Sequence, residues 1–442
     1  MTEGNIFRHI IVFALPLLAG NLFQQLYTTV DTWVVGNFVG SAAFSAVGTV
    51  SPVTNMVIGA FTGLSGGAGV VISQRFGGGS EEGVRKAVHT AMAATLIASL
   101  IFTVLGVAMI PFVLRIINMP ADVYPEAELY LRIYFAGIAG QLIYNMGAAI
   151  LRAVGNSRQP FYFLMICAVC NVVLDLLFVL VFHMGVAGVA WATVISQVVS
   201  AVLVVAVLMR ADSCVRLELP QLRIQRLTLK AMALVGLPTA LQMGVTSFSN
   251  VFVQAYINYF GSACMGGWTA YTKIDQLLFL PAQSIGLAVM TFVGQNLGAG
   301  QSKRARQGVH RGFLFSLLIN ATLILGIHIS APTLVRFFID DEEVLRYGVL
   351  FLRNLNPFYL LICVTQIYSG ALRGAGRSRA PMFITLGAYV VFRQLYLFTM
   401  ANFIRNEALA IAMGYPCGWI LASGLLLFVY YRKGPECGRI SA

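Results

Sequence analysis

Twelve stretches of predominantly apolar residues, each long enough to cross a bilayer, run through this chain with only short polar connections between them. They fall near 10–35, 48–74, 87–113, 126–150, 160–182 and 186–209, and again near 231–257, 266–296, 309–333, 345–371, 381–402 and 408–431. About 20 apolar residues in a helix cover the roughly 30 Å of bilayer hydrocarbon. Of 442 residues, 58% are hydrophobic and 10% charged, against roughly 45–50% and about 25% in soluble domains. A soluble chain of this length would need a polar skin over two or three cores, and these residues do not supply one. The expectation is an all-α integral membrane protein of twelve transmembrane helices. The first apolar run is too long for a cleaved leader and reads as a retained helix.

The charges orient the spans. With a cytoplasmic N-terminus, the inside connections carry Arg75, Arg85, Lys86, Arg152, Arg158, Arg210, Arg216, Arg223, Arg226, Lys230, Lys303, Arg304, Arg306, Arg311, Arg373, Arg377 and Arg379, and the tail adds Arg432, Lys433 and Arg439. The outside connections carry Arg115, Arg336, Arg405 and the acidic run Asp340, Asp341, Glu342, Glu343. This asymmetry favours both termini in the cytoplasm. The basic residues behind the net charge of +12 are scattered singly or in short groups between apolar runs, which speaks against a nucleic-acid partner.

The sequence repeats itself. A shift of 221 residues pairs LRAVGNSRQP at 151 with LRGAGRSRAP at 372, identical at six of ten positions. The same shift pairs SQRFGGG at 73 with GQNLGAG at 294 and Gly40-Ser41-Ala42 with Gly261-Ser262-Ala263, while Pro16 and Pro238 correspond within one residue. Six spans return the chain to its starting side, so two six-helix bundles related by a pseudo-two-fold axis along the membrane normal are expected. The domains read as an N-terminal lobe 1–210, a basic cytoplasmic linker 211–229 and a C-terminal lobe 230–442. Two equivalent bundles flanking a cleft suit a site that opens to alternate sides, and so a transporter. Pro16 frees a backbone carbonyl and permits a kink in helix one.

Three acids, Asp31, Asp175 and Asp275, lie well inside apolar spans, where an ionised carboxylate facing lipid costs several kcal/mol. Asn171 and Asp175 are four apart on helix five and share a face. With Asp31 on helix one, two carboxylates and an amide can converge, and such hard oxygens suit a sodium ion or a shared proton. Two close carboxylates in a dry pocket repel one another, so the pair is expected to hold a proton near neutrality. At the shift of 221 residues, Asp31, Asn171 and Asp175 become Phe252, Phe392 and Tyr396, so the acidic pocket has no twin. In the second half Lys273 and Asp275 are two apart and do not share a helical face, which makes Arg393 the better partner for Asp275.

These repeated segments resemble those of the multidrug and toxic compound extrusion family, over essentially the whole chain. GQNLGAG-type segments follow the second and eighth spans of such proteins, and LRGxGxxxxP-type segments follow the fourth and tenth. The DinF-like branch is the more similar, because the NorM-like branch also carries acids inside helices seven and ten and this chain does not. The resemblance implies a secondary antiporter with two six-helix lobes, driven by H+ or Na+ and exporting small amphiphilic, often cationic, compounds by alternating access. It implies no cofactor beyond the coupling ion, a functional monomer, and a place in the bacterial cytoplasmic membrane. It also puts Thr193 of helix six, as a further hydroxyl, beside Asp31, Asn171 and Asp175. Gln24, Tyr27, Gln242, Asn250, Gln254, Gln283 and Met290, with Lys273, Asp275 and Arg393, are candidates for the substrate cleft.

Other motifs carry no chemistry. Cys167 and Cys170 form a CxxC inside an apolar span, where they read as packing residues. GLSGGAGVV at 63–71 lacks the Lys-Ser/Thr of a phosphate loop and reads as close helix packing, and FGGGS at 76–80 as a turn. No HExxH or GxSxG signature supports a membrane-embedded enzyme. A flippase for lipid-linked oligosaccharide is the remaining alternative, and it would need a strongly cationic cavity.

Overall fold

In the computed structural model, which describes residues 1–117, 119–121, 123–211, 213–338 and 341–433, the chain is all helix and connection. Asp340 and Arg439, counted above for orientation, lie outside the described residues. Among the described residues, twelve helices are long and apolar enough to span a membrane. They are α1 (Ile6–Val39), α2 (Ser41–Gly77), α3 (Glu81–Ile116), α4 (Tyr124–Ala153), α5 (Arg158–Val181), α6 (Gly185–Arg210), α7 (Arg226–Asn258), α8 (Ser262–Gly298), α9 (Ser302–Arg336), α10 (Glu342–Gly374), α11 (Arg379–Ile404) and α12 (Ala408–Arg432).

Most helices overrun the apolar windows that announced them, because polar ends carry the helix past the hydrocarbon boundary. The Ser80 hydroxyl accepts from the Gly83 amide at 3.3 Å and starts α3 among charged residues. The Asp341 carboxylate accepts from the amides of Glu343 and Val344 and starts α10. Both are N-caps that satisfy donors the helix cannot pair itself. In α10 the residues Asn356–Tyr359 tighten into a 3-10 turn, where Pro357 lacks an amide hydrogen.

The repeat extends to backbone conformation. Gly40 and Gly261, Gly79 and Gly300, and Gly155 and Gly376 all have positive φ, and each pair is related by the 221-residue shift. Left-handed backbone is strained for residues with a Cβ, so glycine at these connections is a conformational requirement. The turn read at FGGGS is formed, with Gly79 at φ 70°.

Two compact units emerge, Leu15–Gly236 and Met1–Ala14 with Leu237–Ser441. The first turns of α1 therefore belong with the second half of the chain, and the linker and first turns of α7 belong with the first half. Each change of unit falls within two residues of a proline, Pro16 and Pro238; α1 and α7 remain helical through them.

In the unit Leu15–Gly236, the linker is strapped to α3. The Glu218 amide donates to His89 Nε2 at 3.1 Å, and Thr90 bonds the Arg223 carbonyl and the Gln225 amide at 3.3 Å each. A Cβ on Gly67 of α2 would meet Met232 and Gly236 backbone in α7, so GLSGGAGVV does serve close packing at that residue. In the other unit, Arg304 at the start of α9 donates to the carbonyls of Met1, Glu3 and Gly4 at 3.2, 2.8 and 2.8 Å. The Met1 amine donates to Gln295 at 3.1 Å.

Candidate functional site

Within Leu15–Gly236, α1 lies against α5, with Phe23 and Phe161 rings 6.0 Å apart and Gly20 beside Leu164. That contact brings the Asp31 and Asp175 carboxyls within hydrogen-bonding reach of each other. Asp175 and Asn171, one turn apart on α5, are 0% exposed. Neither the Asp175 oxygens nor the Asn171 amide atoms have a hydrogen-bond partner, and Asp31 Oδ1 has none either. Two ionised carboxylates are both acceptors, so no donor stands between them; a proton shared by the pair would supply one. The same oxygens would equally suit sodium.

Thr193 is buried on α6, and its hydroxyl donates to the Val189 carbonyl at 3.0 Å. That bond uses the proton and leaves the oxygen as an acceptor. Tyr27 stands one turn before Asp31 on α1 and within its electrostatic reach. Gln24 is half-buried one turn further back.

The sequence reading missed a polar face of α4 that borders this site. Tyr130 lies within electrostatic reach of both Asp31 and Asp175, and its ring stacks on Tyr134 with centroids 6.2 Å apart. The Tyr134 hydroxyl donates to Gln141 Oε1 at 3.0 Å, and Gln197 Nε2 of α6 donates to the same oxygen at 2.8 Å. The spacing 130, 134, 141 puts all three on one helical face, a signal the search for charges passed over.

Both acids are followed by a change of helical winding. α1 ends in a π-helical turn at Val35–Val39 and α5 in another at Leu177–Val181. Such turns place one extra residue in the ring and are frequent at functional sites.

The C-terminal lobe is built differently. Asp275 does not pair with Arg393: its Oδ2 accepts from the Tyr359 hydroxyl at 2.8 Å. Arg393 Nη2 instead donates to Ser249 Oγ at 2.9 Å and Asn250 Oδ1 at 2.8 Å, and its guanidinium lies 4.6 Å from the Tyr415 ring centroid. Tyrosine hydroxyls and a neutral amide take the roles assigned to an ion pair because they reach without placing two charges on facing helices. Lys273 is exposed.

Most of the remaining cleft candidates are committed elsewhere or placed without a shared focus. Gln242 accepts from Arg373 at 3.1 Å, and Gln254 donates to Asn258 at 2.7 Å. Gln283 is half-buried and Met290 buried on α8. Cys167, Cys170 and the other described cysteines are free.

The repeat itself changes register within α11. α11 contains a π-helical turn at Gly387–Phe392, with no counterpart at that point of α5. One residue inserted there moves the register from 221 to 222, so Arg393, not Phe392, stands in the place of Asn171. The later π turns, Leu177–Val181 and Met400–Ile404, are offset by 223.

A helical membrane protein of two repeated halves, with two neighbouring acids inside one of them, has the form of a transporter rather than an enzyme. The MatE family model matches this chain twice, at residues 16–177 and 238–398, and the chain belongs to that family. It is 27% identical over 434 residues to the Bacillus subtilis "Probable multidrug resistance protein YpnP", covering 98% of this chain and 96% of that one. It is also 27% identical to the Thermotoga maritima "Probable multidrug resistance protein NorM", covering 96% and 92%. A solved MOP superfamily transporter from Pyrococcus furiosus shares the fold at a TM-score of 0.92 and 22% identity, covering 98% and 96%.

Proposed function

We propose that this protein is a secondary antiporter of the DinF-like branch that expels small amphiphilic organic compounds, cationic ones included, in exchange for H+ or Na+. The multidrug resistance assigned by name to its relatives supports the substrate class. The observation that carries the coupling reading is the pair of carboxyls, half-buried Asp31 and buried Asp175, in mutual reach, with no donor at Asp31 Oδ1 or at either Asp175 oxygen. Asn171 and Thr193 complete the cation site, with both termini cytoplasmic, the bacterial cytoplasmic membrane as location and a monomer as the working unit.

A proton or sodium ion at the pair removes the penalty of enclosing uncompensated negative charge, and so favours the conformation in which the first lobe is closed around it. Substrate and cation must differ in affinity between the two conformations, and that difference is the coupling. Pro16 is the point at which helix one yields.

The test is efflux of a fluorescent cationic dye in inverted vesicles, with proton and sodium gradients imposed separately, for the natural protein and Asp31→Asn. Gradient-driven transport lost in the variant is the expected result. Normal coupled transport by Asp31→Asn would remove the site, and a folded natural protein that moves no dye under either gradient would redirect the search to lipid-like substrates.

A further inference from the structure

Arg393 is 2% exposed, and among the described residues no ion pair joins it to an acid. A buried guanidinium ordinarily has a carboxylate or phosphate opposite it, since an unpaired buried charge is strongly unfavourable. Here Nη2 is held by two neutral oxygens, on Ser249 and Asn250. The Tyr415 ring covers one face of the guanidinium. Nε is buried and has no acceptor at all.

The surroundings fit an external anion. Asn250 is exposed and Tyr415 half-exposed, so the cation sits directly behind groups that reach the lobe surface. The Tyr415 hydroxyl lies 3.5 Å from Asn250 Oδ1, and Gln394 Nε2 donates to Ser249 Oγ at 3.0 Å. Ser249 Oγ in turn donates to the Tyr389 carbonyl at 3.0 Å, so an entering carboxylate would take over from Asn250 Oδ1 as the acceptor for the guanidinium and the Tyr415 hydroxyl; a planar guanidinium matches a carboxylate in a two-bond fork. Arg393 also stands in the register of Asn171, so the site occupies in the second lobe the place that the acid site occupies in the first.

We propose that the Arg393 cradle binds the carboxylate of the transported molecule. The inference rests on the reading of this chain as an exporter and narrows its substrates: the preferred ones carry a carboxylate besides any cationic group. Arg393 then neutralises that carboxylate inside the protein, and Asn250 and Tyr415 orient it.

Equilibrium binding to the full-length protein in phosphatidylcholine nanodiscs tests this with a matched pair, the carboxylate dye rhodamine B and its ethyl ester, read by fluorescence anisotropy. No gradient is needed, and acid and ester are compared at one pH and one salt concentration, so their ratio is read without knowing which ion couples transport. The natural protein should bind the acid at least about tenfold more tightly than the ester. Arg393→Gln should lose that preference while retaining ester binding, and Arg393→Lys should keep part of it. Asn250→Asp provides a check that survives misfolding of the first variant: an internal carboxylate beside Arg393 should raise the melting temperature and abolish the preference. Equal binding of acid and ester by the natural protein, or binding of neither, would overturn the proposal. So would a preference that survives in Arg393→Gln or Asn250→Asp, or one that disappears when the nanodiscs contain phosphatidylglycerol, which would make a lipid headgroup the bound anion.

Discussion

The two lobes use corresponding helices for opposite charge. In the first, α1 and α5 bring Asp31 and Asp175 together beside Asn171; in the second, α7, α11 and α12 surround Arg393 with Asn250, Ser249 and Tyr415. A duplicated architecture thus supplies two similar frames, and single residues decide what each frame binds. Asp31 Oδ1 and both Asp175 oxygens lack a donor, and Arg393 Nε lacks an acceptor, so each lobe holds a charged group with unfilled hydrogen-bonding capacity. The function proposed above assigns a small cation to the first, and the further proposal assigns an organic anion to the second.

The largest expected effect would break this division of labour at the acid site. Asp175→Asn should reduce gradient-driven dye efflux in proteoliposomes by at least about tenfold, a barrier change of about 1.4 kcal/mol. Asp275→Asn, which keeps an acceptor for the Tyr359 hydroxyl, should leave the dependence on the gradient intact. Equal loss in both would mean that coupling is not confined to the first lobe.

Packing sharpens the comparison next. Gly67→Ala places a Cβ against the backbone of Met232 and Gly236 and should cost about 1–3 kcal/mol, read as a fall in melting temperature. Its neighbour Gly66 has open space around a Cβ, so Gly66→Ala should be neutral or stabilise by up to about 1 kcal/mol. In the second lobe Tyr359→Phe removes the Tyr359 hydroxyl from Asp275 Oδ2 and should cost about 1–2 kcal/mol. The opposite sign is expected in the first lobe: Asp31→Asn supplies Asp175 with an amide donor and should stabilise by about 1 kcal/mol while uncoupling transport.

The smallest effect concerns the amino terminus. Burial, and then the charge of Arg304, lowers the Met1 amine below its ordinary value of 8.0. The folded state therefore binds this proton less readily than the unfolded chain. The contribution is fully present above pH 8 and declines as pH falls toward the lowered value. Hydrogen exchange of residues 1–5 should be better protected at pH 9 than at pH 6, after correction for intrinsic rates, and Arg304→Ala should loosen the segment at both.

Much of the architecture was legible because its signals are additive along the chain. Twelve apolar runs need no tertiary knowledge to be counted, and the pairs Gly79 with Gly300 and Gly155 with Gly376 mark turns that only glycine adopts readily. The acids stood out for the same reason, since a carboxylate inside an apolar run is conspicuous by itself. Tyr130, Tyr134 and Gln141 did not, because a tyrosine face on a membrane helix looks alike whether it packs or binds.

What the sequence determined by itself was the number of spans, the duplication and the identity of the buried charges, each a property of consecutive residues. What only the tertiary structure decided was which charges meet. Asp31 reaches Asp175 across two helices, while Asp275 and Arg393 take different partners. A single π turn at Gly387–Phe392 moves Arg393 into the register of Asn171. The physical reason is that one inserted residue rotates everything after it by about 100°, a change invisible in composition or hydropathy but sufficient to turn a side chain from one neighbour to another.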